Sequence, residues 1–136
     1  MRIAALVLAT LPMAASAGEI WVTNEKDDTI TVIDADSLEV LREIEVGERP
    51  RGITFNSDFS RAYVCASDSD TVQVIDPATG EILHDLPSGE DPEQFVLAPD
   101  DRHLWIANED DAITTVVDVE TRQVVAQVDV GIEPEG

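Results

Sequence analysis

Carboxylates recur in this chain in short loops of similar make-up. Glu25, Asp27 and Asp28 fall in "NEKDD", Asp68 and Asp70 in "ASDSD", and Glu109, Asp110 and Asp111 in "NEDDA". A second set, "GERPR", "GEDPE" and "GIEPE", adds Glu48, Glu90, Asp91, Glu93, Glu133 and Glu135. Within these segments the opposing charges are Lys26, Arg49 and Arg51. Three kinds of chemistry fit. Asp, Asn and Ser suit tight turns, because their short side chains bond the local backbone. Gathered carboxylates focus a negative field and steer a basic protein. Oxygen ligands can also hold Ca²⁺, but no loop here has calcium-loop spacing, and each is too short to fill a coordination shell alone.

Residue sets for covalent or metal-assisted chemistry are missing. His84, read on an outer strand, and His103, read on a turn, join no Cys or carboxylate at zinc-ligand spacing. The sequence contains no GxSxG, P-loop or GxGxxG. A CxxCH haem-attachment motif is also absent, so no cofactor is assigned to identifiable residues and electron transfer would use a partner's cofactor. Cys65 is the single cysteine, which excludes an internal disulfide, and no basic residue or histidine lies near it to activate the thiol.

The loops must be positioned by a repeat. "IWVTNEKDDTITVID" at 20–34 returns 42 residues later as "AYVCASDSDTVQVID", and again as "LWIANEDDAITTVVD". Trp21, Tyr63 and Trp105 align without gaps, as do Asp34, Asp76 and Asp118, Gly47, Gly89 and Gly131, and Pro50, Pro92 and Pro134. A fixed period near forty residues signals a solenoid or a propeller. Each unit reads as four short strands rich in Val, Ile and Thr: the type of "GITFN" at 52–56, then "RAYVCAS", "TVQVID" and "EILHDL", with turn formers between them. Four antiparallel strands per repeat make a propeller blade. Blades stack face to face, so both faces of a sheet carry apolar side chains. The aromatic at 21, 63 and 105 is expected to fill the gap between neighbouring blades.

In such a wheel the hairpin between second and third strands and the connection between blades emerge on one face. That gathers Glu25, Asp27, Asp28, Asp68, Asp70, Glu109, Asp110 and Asp111 into a candidate partner-binding face. Arg51, Glu93 and Glu135 share one repeat position, entering the inner strand, and are candidates for the mouth of the central channel. An Arg51–glutamate ion pair at an exposed position there would contribute little stability.

These repeats resemble the YVTN-type β-propeller repeat, with "WVTN" at 21–24 carrying Trp for Tyr and with "YVCASDSDT…VID" and "IANEDD" as further matches. The family most similar is the propeller family associated with pyrroloquinoline-quinone (PQQ)-dependent catabolism. The resemblance covers residues 20–136. The usual Pro-Asp-Gly turn is replaced by "SDF" at 57–59 and "PDD" at 99–101. It implies a non-catalytic periplasmic accessory protein of quinoprotein alcohol oxidation, with a basic cytochrome or quinoprotein dehydrogenase as partner. PQQ association rests on the resemblance alone. Propeller lactonases share the fold and give the enzyme alternative, whose polar cluster would need further blades.

The expected fold is all-β: about three four-stranded blades in units 20–61, 62–103 and 104–136, the first without its inner strand, the ring not closed. Members of such families close a ring of about seven blades. The chain is therefore expected to be the N-terminal part of a longer reading frame, the missing blades coming from the rest of it. Residues 1–17, with Arg2, the apolar run "IAALVLATL" and "ASA" at 15–17, read as a cleaved secretory signal, leaving 18–136 as the partial propeller. The net charge of −21 becomes one unit more negative without Arg2, which repels nucleic acid phosphates and anionic lipid. No other stretch reaches membrane-spanning length.

Overall fold

The computed structural model describes residues 18–135, so the signal read at 1–17 lies outside the described residues. β1 (Glu19–Asn24), β2 (Thr29–Asp34) and β3 (Val40–Glu45) form a three-stranded antiparallel sheet in that order. β4 (Pro50–Phe55), β5 (Ala62–Ala66), β6 (Thr71–Ile75) and β7 (Ile82–Pro87) form a second sheet. β8 (Pro92–Leu97), β9 (His103–Asn108), β10 (Ile113–Asp118) and β11 (Gln123–Asp129) form the third. Among the described residues the first blade thus begins at the second strand type, and the three sheets form part of a β-propeller.

The repeat in sequence is a repeat in register. Trp21 pairs with Val32, Tyr63 with Val74 and Trp105 with Val116. The register shifts between Val32 and Ile33, Val74 and Ile75, and Val116 and Val117. An irregularity at the same place in each blade bends and twists each sheet alike, which lets successive sheets nest.

Two apolar layers hold the blades together. Ile30, Val32 and Ile44 of the first sheet pack on Ala62, Val64 and Ile75 of the second, with Trp21 and Phe55 beside them. Tyr63, Cys65, Val72, Val74 and Leu86 of the second pack on Leu104, Ile106 and Val117 of the third. The middle sheet is apolar on both faces because it has a neighbour on both, and every residue of β5 is buried. β11, on the outer rim, is exposed along its whole length.

Three expectations need correcting. The inner strand starts at Pro50 and Pro92, two residues before "GITFN". His103 is the first residue of β9 rather than part of a turn. Trp105, expected in a gap between blades, is 43% exposed, because no described sheet faces it. Trp21 and Tyr63 do fill inter-blade gaps: Trp21 meets Phe55 edge to face, ring centroids 5.4 Å apart, and Tyr63 is buried in the second layer.

Candidate functional site

The stacking brings the loops of successive blades together at one end. Asp28 and Asp70 occupy equivalent positions with positive φ (55° and 50°), a region that Asp tolerates better than most residues. From there each carboxylate reaches the next connection: Arg49 N–H donates to Asp28 Oδ1 and Asp91 N–H to Asp70 Oδ1, both at 2.9 Å. The third equivalent, Ala112, holds the same conformation (φ 53°) with no carboxylate to offer. Glu48 N–H donates to Ser69 Oγ at 3.0 Å, tying the same layers.

Arg49 is the hub of this end. Its Nε lies 3.4 Å from Glu25 Oε1, its Nη1 3.4 Å from Asp68 and 3.3 Å from Asp91, and its Nη2 3.6 Å from Glu93. One guanidinium therefore reaches carboxylates of all three blades. Around it lies a groove of about 330 Å³ lined by Ser67, Asp68, Asp70, Glu90, Asp91 and Asp110. Asp27 and Asp111 are exposed in the β1–β2 and β9–β10 turns.

Beneath the groove, Arg51 Nη1 donates to Glu93 Oε1 at 2.5 Å. The pair was expected at an exposed position, but the Glu93 side chain is 1% exposed. Position 93 falls inside β8, where the stack covers it, rather than at an open rim. Burial pushes Glu93 up, to about 7; Arg51 opposes that rise, whereas the neighbouring Glu109 and Asp91 carboxylates add to it. Burial likewise raises Asp91 against the pull of Arg49. Asp91, Glu93 and Glu109 offer oxygens within 4.8 Å of one another, and Arg51 and Arg49 both reach Glu93 Oε1, so charge compensation there is internal. Glu135 is exposed beyond β11, and among the described residues no hydrogen bond or ion pair joins it to Glu93. Cys65, wholly buried in β5, has its thiol pushed well above the ordinary range by desolvation and then by the charge of Glu93, which leaves it unreactive.

Sequence reasoning placed Arg49 only among the opposing charges and did not see it as a hub. The signal was present: Arg49 and Asp91, like Arg51 and Glu93, are opposite charges one repeat apart, where stacked blades place equivalent positions side by side. Asn108 was also missed. It is fully buried, and its Nδ2 donates to Ser88 O and Glu90 O at 2.8 Å each, pinning the connection that carries Asp91 and Glu93.

The YNCE-like beta-propeller family model matches residues 3–113. The chain belongs to that family. No curated protein matches it. Among solved structures it is similar to Kuenenia stuttgartiensis hydrazine synthase, at 22% identity and a TM-score of 0.80, over 86% of this chain and 34% of that one. It is similar to apo AztD from Citrobacter koseri at 20% identity and 0.66, over 80% and 31%. It is similar to the dihydro-heme d1 dehydrogenase NirN, solved in complex with DHE, at 18% identity and 0.70, over 89% and 26%. These likenesses show the fold, and the chain spans about a third or less of each protein.

Proposed function

We propose that this chain is a non-catalytic binding segment whose acidic end docks a basic protein. The observation that carries the reading is the groove: Asp68, Asp70, Glu90, Asp91 and Asp110 line it against the single guanidinium of Arg49. Carboxylates this close, on backbone held by inter-blade hydrogen bonds, present a fixed negative field that speeds encounter with a cationic surface. The repeat resemblance supplies the setting: a periplasmic accessory to PQQ-dependent alcohol catabolism, with a basic cytochrome or quinoprotein dehydrogenase as partner. The apolar segment at residues 3–11 and the small residues at 15–17 support export. The structural neighbours carry different jobs on one fold, so the site rather than the fold has to choose among functions.

The test is binding of a decalysine peptide and then of a basic c-type cytochrome. Affinity is expected to fall about tenfold as salt rises from about 50 to about 300 mM. Replacing Asp110→Asn and Asp111→Asn together should slow association about threefold. Capture indifferent to salt and to both substitutions overturns the reading.

A further inference from the structure

In the first blade one carboxylate is held by two neighbours. Arg42 donates to Glu19 from Nη1 and Nη2, each at 3.0 Å, and Trp21 Nε1 adds a third bond at 3.0 Å. Arg42 Nη2 also reaches across the junction to Pro77 O of the second blade, at 2.8 Å. The second blade builds the same place with the opposite charge. Tyr63, Val74 and His84 lie in one cross-strand row, as Trp21, Val32 and Arg42 do. One repeat along, Tyr63 stands for Trp21, His84 for Arg42 and Arg61 for Glu19. A guanidinium thus replaces the carboxylate, beside an imidazole. The third blade brings another cation to this junction. A side chain at Gly80 would meet Ile44 of the preceding blade; the repeat partner of Gly80 is Arg122, just before β11, and that of Ile44 is Leu86, two residues from His84 on β7. β7 and β11 are in contact. Burial holds the His84 imidazole below its ordinary value, and Arg122 and Arg61 add to that against Asp85.

Among the described residues no carboxylate pairs with Arg61, His84 or Arg122, whereas Lys26, Arg42, Arg49, Arg51, Arg102 and His103 each have one. The Arg61 guanidinium is bound only to Ser60 O, and the hydroxyl of Tyr63, a residue 4% exposed, has no hydrogen-bond partner among them. Asp58 and Asp101, whose charges reach Tyr63, are engaged by the N–H groups of Ser60 and Ser57. Glu120, in the same turn as Arg122, is paired with Arg102. In a chain of net charge −21, cations left unpaired at one junction repel one another unless an anion offsets them. We propose that this junction, at the end of the blades away from the acidic groove, binds a small carboxylate between Arg61, His84 and Arg122, with the Tyr63 hydroxyl as a further donor. The first blade shows the arrangement filled, a carboxylate seated between a guanidinium and a ring N–H. Guanidinium and imidazolium donors suit the two oxygens through charge-assisted bonds. The protonated ring is the form that binds, so occupancy and His84 protonation rise together.

Proton NMR of the chain titrated with succinate, at a constant ionic strength of about 150 mM, tests this. Succinate up to about 20 mM is expected to shift the His84 ring resonances and to raise the pH at which that ring titrates, leaving His103 unmoved. Arg61→Gln and Arg122→Gln should each weaken binding about tenfold, and Tyr63→Phe about threefold. Circular dichroism checks that the variants fold; Arg122 is exposed, so Arg122→Gln carries the test should Arg61→Gln unfold. A His84 ring indifferent to succinate overturns the proposal. So does an equal response to chloride, which would be screening by any anion, or tighter binding of inorganic phosphate, which would assign the site to another ligand. Variants that bind succinate like the wild type overturn it too.

Discussion

At the acidic end Glu93 is buried between two blades beside Asp91 and Glu109, whereas at the opposite end Asp118, the last residue of β10, and Asp100, in the turn before β9, are met by donors of the adjoining turns. Arg102 Nη2 reaches Asp118 Oδ2 at 2.6 Å, and the N–H groups of Glu120 and Thr121 donate to Oδ1 at 3.0 Å each. Asp100 Oδ2 lies 2.6 Å from His103 Nδ1, and its Oδ1 accepts from the N–H groups of Arg102 and His103. Asp118 is held down to about 2, first by Arg102 and then by the backbone donors; Asp100 is held to about 2, first by His103. Glu93 goes the other way, to about 7. One fold, made of near-identical repeats, thus holds carboxylates on both sides of the ordinary value. Donor-rich turns stabilise the anion; burial with like charges stabilises the acid, even with an arginine attached.

The largest test of that contrast is the pH dependence of stability. Asp118 and Asp100, depressed when folded, contribute stability that is present above the unfolded carboxylate value and lost as pH falls through about 2. Glu93, raised when folded, contributes stability that is fully present below about 4.5 and lost as pH rises through about 7. Urea unfolding should therefore show a maximum near pH 4–5 and a neutral-side decline of about 3 kcal/mol. Glu93→Gln should flatten that decline and leave the acid side alone, and Asp118→Asn should do the converse. A wild-type stability that rises steadily to pH 8 would erase the difference between the ends.

Removing the arginines comes next in size. Arg51→Ala leaves Glu93 buried with only Arg49, 3.6 Å away, and should cost about 2 kcal/mol at pH 8. Arg102→Ala leaves Asp118 its two backbone donors and should cost less. Equal shifts in the urea midpoint would mean that burial does not separate the two sites.

Glycine substitutions probe the backbone at both ends, with effects no larger than that of Arg51→Ala. A Cβ on Gly89 (φ 85°) would lie 2.9 Å from Asn108 Nδ2, the donor that pins the acidic connection. Gly89→Ala should cost about 2 kcal/mol. A Cβ on Gly80 (φ 76°) would meet only the end of Ile44 at 3.2 Å, and Leu38 and Arg122 already hold positive φ at the equivalent positions. Gly80→Ala should cost about 1 kcal/mol or less. The same thermal-melting shift for both would put the strain in φ alone.

The fold was legible because its period is written in ungapped positions. Trp21, Tyr63 and Trp105 predicted strand pairs that the structure forms at one register. The gathering of Asp28, Asp68 and Asp70 around the two connections between blades followed from the same topology. The burial of Glu93 was not legible, since "EDPEQF" carries nothing to distinguish a rim glutamate from one under the stack. Nor was the exposure of Trp105, an aromatic identical in type and position to one that is covered.

By itself the sequence determined the strand types, their order and the end of the blades to which each loop belongs. Those depend on local alternation, turn residues and spacing, all of which are properties of the chain taken in order. Only the tertiary structure decided which charges meet and which are shut away from water. Arg49 touching four carboxylates, and Glu93 rather than Glu135 being buried, depend on distances between blades and on what covers a surface. Electrostatic energy and desolvation follow those distances, whatever the separation along the chain.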